Sequence, residues 1–409
     1  MILVVHPFGN ANVRAVLGAI DGADRLAKFV TTLGWSTGSP LLQVLPEGMR
    51  AEVLRRGYDL PHYKIKIHPA REIVRLGAEK AGANSLIEHE IGWASIDRVW
   101  TNLDETAAEY LRQNHERLRI RGVYAYEDCA ARTFEVARDL GLRRIYDLPI
   151  AYWETARELL QREAVRYPHW EPTLGGTRDS TEKLARKTRE LELAETVICP
   201  SSFVFDSLPE AARLSKKCLV APFGSPQTDT SKAHERTSGS RLRFLFAGAL
   251  TQRKGLADLF TAVKMVNSAK VELVVMGSPV LPMTFYRNEF PDFTYEPPRP
   301  HGAVLDLMAN CDVLVLPSIV EGRALVQQEA MASGLPLIVS RNAGGEDLIV
   351  EGQTGFLVPA GTPSAIAEKI EWFVRNPDRL PSMRAAARAK AAELTWAAYG
   401  AKILHAITD

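Results

Sequence analysis

The stretch EGRALVQQEAMASGLPLIVS, residues 321–340, constrains this 409-residue chain more than any other. It follows Val313-Leu314-Val315-Leu316-Pro317-Ser318, an apolar run closed by turn residues, which predicts a short buried strand. Glu321 and Gly322 then fall in a turn. Residues 325–333 predict a helix stopped by Gly334 and Pro336, and residues 337–340 return as a second strand. A helix N-terminus offers unpaired N–H groups and the positive end of a dipole, which suits a phosphate. Gly322 lets backbone approach a ligand closely. Glu329, in the first turns, can accept from two neighbouring hydroxyls such as those of a ribose, while Glu321 is placed to meet something beyond the phosphates. Phosphate, diol and a further polyol at one helix end describe a sugar nucleotide. Two glutamates alone would be an ordinary solvated face. The block as a whole is far more specific.

That block resembles the E-x7-E motif of retaining GT-B glycosyltransferases of family four, written EGFGLxxxEAMAxGxPVI. Both glutamates agree, as do Gly322, Leu325, Ala330, Met331, Ala332, Gly334 and Pro336, whereas Arg323-Ala324 stand where the family has Phe-Gly. A second stretch, GALTQRKGLADLF over residues 248–260, resembles the family's G-R-L-x-x-x-K-G loop. Lys254 and Gly255 match. Ala249 replaces the family's arginine, and Arg253 is placed to supply that guanidinium. The order G-x4-G-K-[ST] of a P-loop is absent. Gly277-Ser278 resembles the glycine turn bordering the nucleotide, and residues 295–302, with Arg299 and His301, the base pocket. Residues 189–208 and the hinge at 219–224, LVAPFG with its Pro222-Phe223-Gly224, also resemble family segments, as does Trp396, where the tail crosses back.

The resemblance implies an α/β fold of the GT-B kind, two facing doubly wound Rossmann-like domains with a cleft between them. The implied spans are 1–222 for an acceptor-side domain, 223–390 for a nucleotide-sugar-binding domain, and 391–409 for a helix crossing back. It also implies roles. Lys254 and Arg253 hold a diphosphate and stabilise it as it leaves, Glu321 orients the transferred sugar, and Glu329 binds the ribose. The backbone at Gly322, Arg323, Ala324 and Leu325 meets the sugar's polar edge and the phosphate. Gly248, Gly277, Gly9 and Asn10 border the cleft. Arg323 either reaches a charged group of the donor or acceptor or pairs with a nearby acid. In much of the family a histidine follows a strand near residue 147; here the strand ends at Asp147, a substitute for it or simply a cap on the next helix.

Composition narrows the class. Hydrophobic content of 46% and charged content of 24% are those of an ordinary globular protein, and 409 residues make two domains the natural expectation. Fifty basic against forty-nine acidic residues give a net charge of +1, which demands no nucleic acid as partner. Cys129, Cys199, Cys218 and Cys311 have no paired spacing and read as small buried residues of a reduced, cytoplasmic protein. No Asp-x-Asp sequence occurs and no metal site is expected. The opening MILVVHPFGN is too short in apolar residues for a signal segment.

The first 180 residues carry little motif. Residues 2–5 predict a buried strand followed by a loop to Asn12, and residues 13–33 a helix broken near Asp21-Gly22. His6 reads as a hydrogen-bonded loop histidine. Residues 71–80 predict a basic amphipathic helix, a candidate for peripheral contact with an anionic membrane or a solvated face. Residues 95–100 predict a strand, 103–121 a charged helix, and 122–126 and 144–148 strands. Residues 197–199 predict the last strand of the first domain, and residues 169–179, rich in Pro, Gly and Trp, a mobile loop near the acceptor. Residues 225–240 read as a linker.

The expectation is therefore a retaining, metal-independent transferase that moves a sugar from a nucleoside diphosphate-sugar to a hydroxyl on a polysaccharide, lipid-linked or small-molecule acceptor. No cofactor is required beyond that donor. The setting is cytoplasmic, free or at the inner face of the membrane. Its rivals are a nucleotide-sugar hydrolase or epimerase, a non-catalytic GT-B scaffold, and a two-domain binding protein of the periplasmic type.

Overall fold

The computed structural model describes residues 1–38, 56–226 and 240–408. Runs of β-branched and aromatic residues build two parallel sheets. The first comprises β1 (Ile2–Val5), β2 (Leu26–Thr31), β3 (Ile65–Ile67), β4 (Gly122–Tyr126), β5 (Arg143–Asp147), β6 (Thr196–Cys199) and β7 (Lys217–Val220), in the spatial order 3-2-1-4-5-6-7. The second comprises β8 (Leu242–Ala247), β9 (Val271–Met276), β10 (Thr294–Glu296), β11 (Val313–Leu316), β12 (Leu337–Ser340) and β13 (Gly355–Val358), in the order 10-9-8-11-12-13. Both orders reverse beside their first strand. At such a switch point the carboxyl ends of the strands leave a crevice for ligands.

The helices used below are α1 (Ala11–Gly22), α2 (Ala70–Ala81), α3 (Ile96–Asn114), α4 (Ala131–Asp139), α5 (Trp153–Arg166) and α6 (Thr181–Leu193) in the first half. In the second half they are α7 (Leu256–Val266), α8 (His301–Ala309), α9 (Val326–Ala332), α10 (Pro363–Arg375), α11 (Leu380–Glu393) and α12 (Trp396–Thr408). One apolar core sits around the second sheet. The first sheet has a core on each face, one shared with α3, α4 and α6 and the other with α1 and α12. The C-terminal helix thus lies against the first domain. Ser225 N–H donates to Leu394 O at 2.8 Å where the chain crosses. Among the described residues no helix is long and apolar enough to span a membrane.

Several expectations are corrected. The helix expected over 13–33 ends at Gly22, and Asp24 turns the chain with φ 53°. The run LAKFVT then becomes β2, because it can pair with β1 and bury Phe29 and Val30. The strand expected over 95–100 is the start of α3: Ser95 Oγ accepts from Arg98 N at 3.3 Å, and Val99, Leu103, Ala107 and Leu111 form its buried stripe. The first sheet ends with β7, not with residues 197–199, because Leu219 and Val220 pair with β6 rather than forming hinge. The expected linker falls largely on residues 227–239, outside the described residues. In α2, Arg75 is tied to Glu72 and Glu79, and Arg71 stacks on Trp93 at 4.7 Å, so two of its three cations are engaged within the protein.

The largest correction concerns residues 169–179. Trp170 is fully buried, and its ring packs on Phe260, Phe285 and Tyr286 of the second domain. Trp170 thus anchors this otherwise largely exposed segment in the opposite domain's core.

Candidate active site

A cavity of about 410 Å³ opens between the two domains. Its first-domain wall is Asn10, Asn12, Tyr126, Pro149 and Phe223, the last packed in the first sheet's core although the expected span placed it in the second domain; its second-domain wall includes Gly248, Lys254, His301, Glu321, Arg323, Ala324, Leu325, Val326 and Glu329.

Glu321 is held where the β11 loop meets the turn after β8. Its Oε2 accepts from Lys254 Nζ at 2.7 Å and from Arg253 Nη1 at 3.3 Å. Burial pushes the Glu321 carboxyl up, but Arg253 and Lys254 more than reverse this and leave it below the usual carboxylate value. The two loops are also joined through backbone: Ile319 N–H and Val320 N–H donate to Arg253 O at 2.9 and 3.3 Å, and Arg253 Nη1 donates to Val320 O at 2.9 Å. Arg253 therefore points at the loop carrying Glu321 and is not among the residues lining the cavity, whereas Lys254 is.

Close backbone approach explains two glycines. A Cβ on Gly322 would lie 1.7 Å from Pro149 O, so only glycine lets this turn touch the first domain. Ser201 Oγ donates to Gly322 O there at 2.7 Å. Gly277 takes φ 146°, and a Cβ on it would lie 1.8 Å from Gly248 O. Gly277 thus packs behind Gly248, which lines the cavity while Gly277 does not.

Glu329 lines the cavity from the first turn of α9, a helix shorter than the 325–333 expected. Its partner is His301, at the start of α8, whose Nδ1 lies 3.6 Å from Glu329 Oε1. Burial raises the Glu329 carboxyl, and His301 offsets part of that rise. Ala324 and Leu325 line the cavity between the two glutamates. Of the two options for Arg323, the ion pair is the one present. Its wholly buried guanidinium grips Asp347 in a fork at 2.6 and 3.1 Å and donates to Gly344 O at 3.0 Å.

Other candidates lie elsewhere. Asp147 is not in the cavity wall. It shares the face of β5 that carries Ile145 toward α12, and its carboxyl sits against the hydroxyls of Tyr124 and Tyr399. Burial drives it up to about 7, opposed by the neighbouring Tyr124 hydroxyl and aided by the negative charge of Glu127. Arg299 turns to Glu296. Gly9 packs under Tyr58 and Arg14, while its neighbour Asn10 reaches the cavity. His6 lies beneath the wall, 4.3 Å from the Tyr126 ring, and burial pushes its imidazole down to about 3. Sequence reasoning missed Tyr126, Pro149 and Phe223. The signal available for Tyr126 was its position as the last residue of a central strand.

With this geometry in place, comparison with known proteins is informative. Residues 227–391 match the family model described as glycosyl transferases group 1. That match covers the second domain and less than half of the chain. D-inositol 3-phosphate glycosyltransferase of Corynebacterium diphtheriae is 35% identical over 106 residues, 26% of this chain and 25% of that protein. Capsular polysaccharide biosynthesis glycosyltransferase CapM of Staphylococcus aureus is 30% identical over 137 residues, 32% of this chain and 36% of its own length. The likeness to these relatives thus spans about a quarter to a third of their length. Solved structures extend it to the whole fold. Sucrose-phosphate synthase from Thermosynechococcus elongatus superposes with a TM-score of 0.65 at 16% identity, covering 99% of this chain and 97% of that one. Anabaena HepE in complex with UDP gives 0.63 at 16% identity, covering 100% and 99%. At such identities these two show the GT-B fold and no more.

Proposed function

We propose that this protein is a retaining glycosyltransferase that takes a sugar from a nucleoside diphosphate-sugar and places it on a hydroxyl acceptor, in the cytoplasm and without a metal ion. The observation that carries the reading is Lys254 paired with Glu321 in one cleft wall, with Arg253 bracing Glu321 from outside the lining and Glu329 farther along the same wall. The solved HepE complexes contain UDP and UDP-glucose, which supports a nucleotide-sugar donor.

The assigned roles follow from charge. As the bond from the anomeric carbon to the diphosphate oxygen breaks, its electron pair stays with the diphosphate, and Lys254 in the cleft wall stabilises the added charge while Arg253 holds Glu321. Cations aimed at charge that develops during the reaction raise its rate more than uniform binding would. The acceptor oxygen bonds to the same face of the anomeric carbon, and its proton passes to the departing diphosphate oxygen. Glu321, ionised between its two cations, orients the sugar. Glu329 accepts from the ribose hydroxyls. The first-domain wall of Asn10, Asn12, Tyr126 and Phe223 meets the acceptor.

The test is product analysis with UDP-, GDP- and ADP-sugars, each with and without hydroxyl acceptors. Transfer with release of the nucleoside diphosphate and an unchanged anomeric configuration supports the proposal. Equal release without acceptor makes the protein a hydrolase, an interconverted donor sugar makes it an epimerase, and binding with no turnover makes it a scaffold.

A further inference from the structure

The turn that presents Lys254 and Arg253 is gripped from behind by the other domain. We infer that Glu163, Arg166 and Thr173 are positioning residues for this diphosphate-binding turn, so that the domain contact itself aligns the cations. The inference rests on the donor reading above.

The turn Gln252–Lys254 is a single 3-10 turn closed by Gly255 at φ 80°. Three residues cannot fix their own orientation, so neighbours must. Within the second domain, Thr251 Oγ1 accepts from Lys254 N at 3.3 Å. Gln252 is held from both domains: Ala257 N–H donates to its Oε1 at 2.8 Å within the second domain, and the first domain adds two further partners. Gln252 N–H donates to Thr173 Oγ1 at 3.0 Å, and Thr173 Oγ1 donates in turn to Trp170 O at 2.7 Å. Gln252 Nε2 donates to Glu163 Oε2 at 2.7 Å and to Asp258 Oδ2 at 2.8 Å. Arg166 Nη2 closes the same knot, donating to Glu163 Oε2 at 2.7 Å and Asp258 Oδ2 at 2.6 Å, while its Nη1 donates to Gly361 O at 2.7 Å. Gln252 and Asp258 are fully buried and Glu163 nearly so. A buried carboxylate on each domain thus shares the same guanidinium and amide donors, an arrangement that works only with the domains in contact.

On its other side Arg253 is held by Ile319 and Val320, which pack in a small core with Ala151, Leu160, Leu174 and Phe203 of the first domain. The turn is therefore clamped at Gln252 and again at Arg253, and both clamps draw on the first domain. Separation of the domains would remove the Thr173 and Glu163 holds on Gln252 and the packing behind Ile319 and Val320, and so loosen the turn that presents the cations.

Thr173→Val keeps shape and removes the acceptor for Gln252 N–H. It is compared with Glu289→Gln, which alters the partner of Trp170 Nε1 in the same interface without touching the turn. The probes are UDP and UMP, or the guanosine pair where wild type prefers it. In Thr173→Val the diphosphate should weaken about tenfold and the monophosphate stay unchanged, with faster hydrogen exchange at the Arg253 and Lys254 amides. In Glu289→Gln neither should change. Equal weakening of both nucleotides by Thr173→Val, or unchanged exchange in the turn, overturns the inference. If wild type binds no nucleotide the donor reading fails instead, and the exchange rates alone decide the clamp.

Discussion

Glu321 and Asp147 are the same kind of group in the same kind of place. Each is a carboxylate beyond or at the carboxyl end of a parallel strand, one in each domain, Asp147 buried and Glu321 partly so. Glu321 has Lys254 and Arg253 within hydrogen-bond reach and stays ionised, below its ordinary pKa. Asp147 faces two tyrosine hydroxyls and no cation, and burial drives it to about 7. Burial alone makes a charge costly, and the local partner decides whether it survives. Asp147 lies outside the cleft, whose second-domain wall is charged through Lys254, Glu321 and Glu329 and whose first-domain wall is lined by Asn10, Asn12, Tyr126 and Pro149.

The sharpest way to break this contrast is Lys254→Ala against Asp147→Asn. The first should lower turnover by roughly 10²–10³, the range for losing one group that stabilises developing charge, while the second should stay within about twofold at pH 6. Comparable losses in both would make Asp147 part of the chemistry. Stability against pH is the next test. A carboxyl raised from 3.8 to about 7 favours the fold below its unfolded value and loses that contribution as the pH rises through 7, a few kcal/mol at most. Denaturant melts of Asp147→Asn should lack that slope between pH 4 and 7. Glu321 runs the other way: its contribution is present above the ordinary carboxylate pKa and lost as the pH falls below it. Glu321→Gln should therefore flatten the acid limb of the curve. The smallest effect is that of Tyr124→Phe. Removing the hydroxyl, which lowers the pKa of the Asp147 carboxyl beside it, should move the window of stability loss to higher pH in the same melts.

Why one carboxylate was legible in the sequence and the other was not follows from the same contrast. Glu321, Lys254 and Glu329 sit in local patterns, where strand, turn and helix fix which way each residue points. At the end of β5 successive side chains leave opposite faces, so a one-residue choice sends Asp147 toward the cleft or toward α12. What settled it was Tyr399, from the far end of the chain. Residues 95–100 misled for a related reason: the run SIDRVW suits a strand until the stripe from Val99 to Leu111 is seen to need a helix. Trp170 lies beside glycines and prolines that mark a surface loop, and its burial in the other domain's core is a tertiary fact with no local trace. The neutral first-domain wall carries no motif because Tyr126, Pro149 and Phe223 contribute position and shape rather than a charge pattern.

The central claim is that this cleft holds a nucleoside diphosphate through Lys254 and a ribose through Glu329. A thermal-shift titration of wild type and Glu329→Ala with UDP, GDP and ADP tests it most directly. A ligand at about 100 times its dissociation constant adds roughly 2.7 kcal/mol of stability. The account predicts a clear shift of wild type with one of the three and its loss in Glu329→Ala. A shift of equal size in both proteins, or none in wild type, would contradict it.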